Sequence, residues 1–324
     1  MEKQKRRSRM KRQATGRRLV FTQRDLAIFE LLERYRYLRS TFIHAFVGGA
    51  SETRFKERLG DLYHEGGYLN RPEQQWQVAN SRYMPVVYEN GEKAREVLAL
   101  HERLAERCPH MPYGASGAGR QFAHSLMICE VLAAIELATI TDPDLRFIAW
   151  PEILAKVPEN IRRSQNPLRI PVSPHKMGTD AAKVGRNGYS VPDALFGLEY
   201  SGEGRKGYRF FALEADRGGM PITRSAPGQT SYLEKLFAYR SIVARGSHRT
   251  HLGIPNLFVL TVTTSETRKQ NMLSVLSETI EDGAMFLFKE VGVSNQRRAA
   301  LGTALQLPWD CVGHSQVDIL KAGD

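Results

Sequence analysis

YSVPDALFGLEYSGEGRKGYRFFALEADR, residues 189–217, decides how the second half of the chain folds. Two apolar and aromatic runs, Tyr189–Tyr200 and Tyr208–Arg217, flank the glycine-rich SGEGRKG, which is the pattern of two strands joined by a turn. Side chains alternate along a strand, so Glu214 and Asp216 share one face while Leu213 and Ala215 take the other. Asp193 on the neighbouring strand is then positioned to converge with both. Gly202, Gly204 and Gly207 lie between two strands rather than between a strand and a helix, which argues against a phosphate-cradling loop.

Working outward, the apolar run RQFAHSLMICEVLAAIELA predicts a helix over 120–138, and LRFIAW a short strand at 145–150. A Pro-, Asn- and Arg-rich connection follows across 151–188. Ser231-x-x-Glu234 is a capping box that starts a helix running through KLFAYRSIVA. NLFVLTVTT (256–264) reads as a strand, SETRKQNMLSVLSETI (265–280) as a helix and MFLFK (285–289) as a last strand. The order α-β-β-β-α-β belongs to an α/β layer arrangement with a mixed sheet.

Pro192-Asp193 at the second core strand and Glu214-Ala215-Asp216-Arg217-Gly218 on the third, with Lys235 and Tyr239 on the following helix, resemble the PD-(D/E)xK nuclease superfamily. More narrowly, the chain resembles the replication-relaxation proteins of plasmids and integrative elements, which place a winged helix ahead of this domain. The resemblance spans the whole chain and implies a restriction-endonuclease-like αβββαβ domain over 120–324. It implies Asp193, Glu214, Asp216 and Lys235 as catalytic residues, the three carboxylates as metal ligands, and Glu130 as a further outer ligand. Clustered carboxylates repel one another unless a cation neutralises them. Hard oxygens select Mg²⁺ or Mn²⁺, which would polarise a phosphodiester and activate a water.

One residue departs from the pattern. The superfamily has Lys two positions after the Glu, where Asp216 stands here, and an Asp adds negative charge beside a phosphate instead of stabilising it. Lys235, one helical turn from Tyr239, is the compensating cation in an active nuclease or nickase. In a catalytically silent DNA-binding module, Lys235 pairs with Asp216 instead. His124 on the first helix and Trp309 near the C-terminus read as packing residues rather than ligands or base-stacking platforms.

The N-terminal half reads as three helices and a hairpin. Thr22 caps TQRDLAIFELLERYRYL, with Leu26, Phe29, Leu32 and Leu38 at helical spacing. A short second helix runs from Ser40 or Thr41 through Phe46. Ser51 opens a third helix that stops at Gly66-Gly67, with Phe55, Leu59, Leu62 and Tyr63 as its buried stripe. YLNRPEQQWQVANSRYMPVVYEN (68–90) reads as two strands around a polar tip, and GEKAREVLAL as a short helix. This is the winged helix-turn-helix order over 19–100, in which the third helix enters the major groove. Charges across 51–64 nearly cancel, so the DNA contacts expected are Ser51, Thr53, Arg54 and Arg58 at that helix, Arg71 and Arg82 on the wing, and Lys11, Arg12, Arg17 and Arg18 in the tail. A winged helix used for protein pairing is the alternative.

The 324 residues carry a net charge of +11, with nine Lys or Arg and one acid, Glu2, in residues 1–18. Eight of the net positive charges therefore sit in a stretch too polar to fold, read as a disordered basic tail that neutralises phosphates. Residues 101–119 lose periodicity and read as a linker. Hydrophobic residues at 42% and charged residues at 25% are globular composition. No stretch reads as approaching the roughly 18 apolar residues of a membrane span. Cys108, Cys129 and Cys311 are widely spaced and odd in number, which suits reduced thiols of a cytoplasmic protein. The expected partner is double-stranded DNA, with a second copy or replication and transfer proteins as further candidates. A protein-binding scaffold is the third function class.

Overall fold

Thr22 and Asp25 begin the first helix reciprocally: the Thr22 side chain accepts from the Asp25 backbone, and the Asp25 carboxylate accepts from the Thr22 backbone. In a computed structural model of the chain, the residues described are 7–49, 51–77, 81–104, 119–172, 188–202, 204–223, 231–280, 283–291, 302, 305–313 and 316–322. They form two compact units, with the helix Gly119–Ile140 shared between them at Ala133/Ala134.

The first unit runs α1 (Gln23–Tyr35), β1 (Leu38–Arg39), α2 (Ser40–Val47), α3 (Glu52–His64), β2 (Leu69–Asn70), β3 (Val87–Asn90) and α4 (Glu92–Leu100). Its strands form an antiparallel sheet in the order β1-β3-β2. Leu26, Phe29, Leu32, Phe55, Leu59, Leu62 and Tyr63 are buried, as the helical spacing predicts, and so are Phe42 and Ile43 of α2. Ser51 caps α3 by accepting from Arg54 N. The expected hairpin is shorter in strand than predicted. Pro72 lacks an N–H and ends the ladder after Asn70, and the connection holds two 3-10 turns, Glu73–Gln77 and Ser81–Tyr83. Gly91 precedes α4 where only a glycine fits, because a Cβ there would stand 2.2 Å from the Gly67 carbonyl oxygen.

The shared helix α5 (Gly119–Ile140) corrects two expectations. The boundary at 101–119 assigns all of it to the second domain, whereas through Ala133 it belongs to the first unit. There Phe122 packs edge-on against Tyr37, and the Cys129 thiol donates to the Tyr35 carbonyl. Gln121–Ile140 is also long and apolar enough to span a membrane, with a mean hydropathy of 1.6, but most of it is buried within the fold. Residues 105–118 of the expected linker lie outside the described residues.

The second unit contains β4 (Leu145–Ile148), α6 (Trp150–Lys156), α7 (Glu159–Arg162), β5 (Ile170–Pro171), β6 (Tyr189–Ser190), β7 (Ala194–Gly202), β8 (Arg205–Asp216), α8 (Tyr232–Ala244), α9 (Ser247–Leu252), β9 (Phe258–Thr263), α10 (Glu266–Thr279), β10 (Gly283–Glu290) and β11 (Asp310–Val312). Six strands form one mixed sheet in the order β11-β10-β9-β8-β7-β4. β8, β9 and β10 run parallel, and the other neighbours are antiparallel. The fold class is α/β, as the element order predicts. Strand pairing runs almost to the tip of SGEGRKG, because Ser201 and Lys206 are still in register.

Leu195, Ala212, Val259 and Phe286 share one core with Leu236, Tyr239 and Ile242 of α8 and Met272 and Leu276 of α10. Asp193, Glu214 and Asp216 continue this face by strand alternation. On the opposite face Phe147, Phe196 and Phe211 stack at centroid spacings of 5.3 and 5.2 Å, and Phe258 lies tilted against Phe211 at 5.8 Å. The expected strand Tyr189–Tyr200 is split, because Tyr189–Ser190 form β6 and pair with β5 in a separate two-stranded sheet while β7 begins at Ala194. The pieces β5, α9 and β11 are too brief to display a periodic signal. Trp309, beside β11, is fully buried and is a packing anchor.

Candidate functional site

β8 carries Glu214 and Asp216 to the end of the sheet where α8 and α10 cover them. Asp193 stands one residue ahead of β7, tied to β8 by two bonds: its N–H donates to the Leu213 carbonyl at 3.0 Å, and its Oδ2 accepts from Ala215 N at 2.9 Å. Glu214 is buried, and its two oxygens accept from Lys235 Nζ and the Tyr239 hydroxyl. Spacing i, i+4 on α8 places those two donors on one helical face. Asp216, also buried, is held by Arg268 of α10: Nη2 donates to Oδ1 at 2.9 Å and Nε donates to Oδ2, while Thr263 Oγ1 donates to Oδ2 at 3.3 Å. Arg268 Nη2 also donates to the Met220 carbonyl, fixing the turn after β8.

The Asp216–Lys235 pair expected of a catalytically silent module is not formed: Lys235 serves Glu214, and Arg268 serves Asp216. Sequence reading missed Arg268 because nothing local marks it. The available signal was indirect, namely that a buried acid on this face needs a cation from the first turn of the helix after β9.

Burial pushes the Glu214 carboxyl up to about 7, with the Asp193 charge adding to the rise and Lys235 opposing it. For Lys235, burial alone would lower the ammonium, but the Glu214 and Asp193 charges outweigh it and the net shift is upward. Both Tyr239 and Tyr232 are held far from ionisation, chiefly by burial. The resemblance implies a divalent cation on Asp193, Glu214 and Asp216, and these residues do not fit one. Two carboxylates are already neutralised by protein cations, and among the described residues no group of three His, Cys, Asp or Glu is arranged to hold a metal. Glu130, the expected outer ligand, is buried in the first unit, 2.7 Å from Arg39 Nε.

A sequence model of the family described as replication-relaxation matches residues 29–257. The chain belongs to the replication-relaxation family. Membership points to a role in the replication of mobile elements. No curated protein and no solved structure is significantly similar to the chain. In this replication-relaxation protein the match covers Asp193, Glu214, Asp216, Lys235 and Tyr239, while Arg268 lies beyond it.

The residues expected to meet DNA divide into those exposed to solvent and those engaged within the fold. Lys11, Arg17, Arg18, Thr53, Arg54 and Arg82 are exposed, with Arg17 Nη1 also 3.7 Å from the Asp61 carboxylate. Ser51 is half-buried, its hydroxyl spent on the α3 cap. Arg58, Arg12 and Arg71 are engaged within the fold. Arg58 donates to both oxygens of buried Asp25, at 2.9 and 2.6 Å, and to the Val20 carbonyl at 2.7 Å, so it fastens α3 to the start of α1. Arg12 donates to the carbonyls of Tyr63 and Leu69 at 3.1 and 2.9 Å. Arg71 stacks 4.0 Å from the Tyr63 ring and donates to the Arg9 carbonyl at 3.0 Å.

The expectation of a free tail is corrected for residues 7–18, whereas 1–6 lie outside the described residues. Arg7 pairs with Asp61 and Glu65 of the α3 end. Thr15 N and Oγ1 each donate to Glu65 at 2.9 Å. Gln13 N donates to Nδ1 of buried His64 at 3.1 Å. The near-cancellation of charge on the third helix is the reason: its C-terminal acids are what hold the basic segment down. With Asp61 and Glu65 covered, the exposed groups on α3 include Arg54.

Proposed function

We propose that this replication-relaxation protein is a cytoplasmic DNA-binding replication factor of a mobile element that does not cut the DNA it holds. The first unit acts as a winged helix: α3 enters the major groove of double-stranded DNA with Thr53 and Arg54 toward base edges, and Lys11, Arg17, Arg18 and Arg82 meet phosphates. The second unit acts as a nuclease-like scaffold, available to replication or transfer proteins or to a second copy.

The observation that carries the non-cleaving reading is Arg268 on Asp216. At the position where the superfamily pattern has a phosphate-stabilising Lys, this chain has an acid, and its charge is consumed by a neighbouring helix. A plasmid assay tests it. Supercoiled DNA bound by the protein and supplied with Mg²⁺ or Mn²⁺ is expected to stay supercoiled, with Asp193→Ala indistinguishable from wild type.

One observation favours a nuclease instead: Asp193 acts electrostatically on both Glu214 and Lys235, so three members of the superfamily set remain neighbours. Metal-dependent nicking that disappears in both Asp193→Ala and Lys235→Ala would establish that reading.

A further inference from the structure

Between β2 and β3 the chain builds a tip held from beneath. The buried Gln75 amide clamps Val87 in both directions, accepting from its N–H at 2.9 Å and donating to its carbonyl at 3.1 Å. Arg9 reaches over from the N-terminal segment and donates to the carbonyls of Arg82 and Met84, the latter at 2.8 Å, so the backbone on either side of Tyr83 is tied to one guanidinium. The same guanidinium lies 5.6 Å from the half-buried Trp76 ring. From this support Tyr83 projects with 87% of its surface exposed, more than any other large hydrophobic residue described. Arg82 beside it is exposed as well, and Lys11 and Arg12 follow Arg9 in the segment that holds the tip.

An aromatic ring left in water gives up the favourable free energy of burial, and the clamped backbone fixes the point from which this ring extends. Leu100 and Val20 are nearly as exposed. Neither, however, combines an aromatic ring with a clamped backbone and adjoining cations. An exposed ring next in sequence to an exposed arginine, with the Arg9 guanidinium on the backbone at either side, offers the chemistry that receives an unstacked nucleobase and its phosphate. In a duplex both faces of each interior base are already occupied, so a protruding ring finds an open face only where strands are parted.

We infer that Tyr83 stacks on a base of single-stranded DNA, with Arg82 on the adjoining phosphate. The tip thereby gives this protein a single-strand contact in addition to its duplex contact. This rests on the DNA-binding reading above. Arg9 is a positioning residue, acting through the backbone of the tip.

The test uses the full chain and a short single-stranded oligonucleotide carrying one 2-aminopurine, beside the same sequence as a duplex. Wild type is expected to bind the single strand and quench the 2-aminopurine. Tyr83→Ala is expected to weaken single-strand binding by about 5- to 150-fold and abolish the quench, with a smaller effect on the duplex, while Tyr83→Phe restores both. Equal melting temperatures for the three proteins separate this from misfolding. Unchanged single-strand affinity and quench in Tyr83→Ala overturn the inference, as does an equal loss on single strand and duplex. Wild type that binds duplex but not single strand overturns it and leaves duplex recognition standing. Wild type that binds neither overturns both.

Discussion

Arg268 grips both oxygens of Asp216 while donating to the Met220 carbonyl, so a single side chain neutralises a buried acid on β8 and closes the turn that follows it. Two elements distant in sequence, β8 and α10, meet at this pair, and the pair determines whether the acid is available to anything else.

Arg268→Ala is expected to destabilise the protein by about 3 to 5 kcal/mol, the cost of leaving one partner of a buried pair unneutralised. Asp216→Asn combined with Arg268→Ala should recover much of that loss. Urea unfolding of the two single variants and the double variant measures the coupling. Additive losses would show that the pair is not coupled.

Arg58 and Arg54 lie on the same helix and are expected to separate cleanly. Arg58→Ala strands the buried Asp25 carboxylate and should lower stability by about 2 to 4 kcal/mol, whether or not DNA is present. Arg54→Ala should leave the melting temperature unchanged while reducing discrimination between target and random duplex by about 1 to 3 kcal/mol. Calorimetry and competition binding on both variants check the division.

Deletion of residues 1–18 should do two things at once. It removes Arg7, Gln13 and Thr15 from the α3 end, so the melting temperature should fall. It also removes the exposed Lys11, Arg17 and Arg18, which should reduce the log–log salt slope of DNA binding by about 3 at roughly 0.9 per phosphate contact. A change in slope with no change in melting temperature would show that the segment does not pack.

Burial first, and then the charges of Arg71 and Arg7, lower the His64 imidazole from 6.5 to about 4. Between those values the unfolded chain binds the extra proton and the folded chain does not, so stability falls as pH falls through this window and is fully present above it. The loss reaches on the order of 3 kcal/mol near pH 4. The bond from Gln13 N requires an unprotonated Nδ1, so residues 7–18 should be released in the same window. Amide exchange at Gln13 across pH 7 to 4, with His64→Gln as the comparison, reads this directly.

Much of the fold was legible because it is local. The Thr22/Asp25 and Ser231/Glu234 capping boxes, the Ser51 cap and the alternation through Leu213-Glu214-Ala215-Asp216 are each determined within a few residues, and each stands where the pattern placed it. Hydrophobic spacing likewise placed the longer helices and strands along the chain, and a mixed sheet follows from their sequence of types. What could not be read locally is pairing across the fold. The same alternation that puts Glu214 and Asp216 on one face says nothing about which cations close over them, and α8 and α10 supply two different ones. Composition marked residues 1–18 as a charged tail because net charge ignores position. Tertiary structure sets Arg7 against Asp61 and Glu65, and Arg12 against the carbonyls of Tyr63 and Leu69. Periodicity is a property of neighbours in sequence and is fixed by backbone sterics. Neutralising a buried charge needs a partner within a few ångströms in space, and that partner is chosen only once the chain has folded.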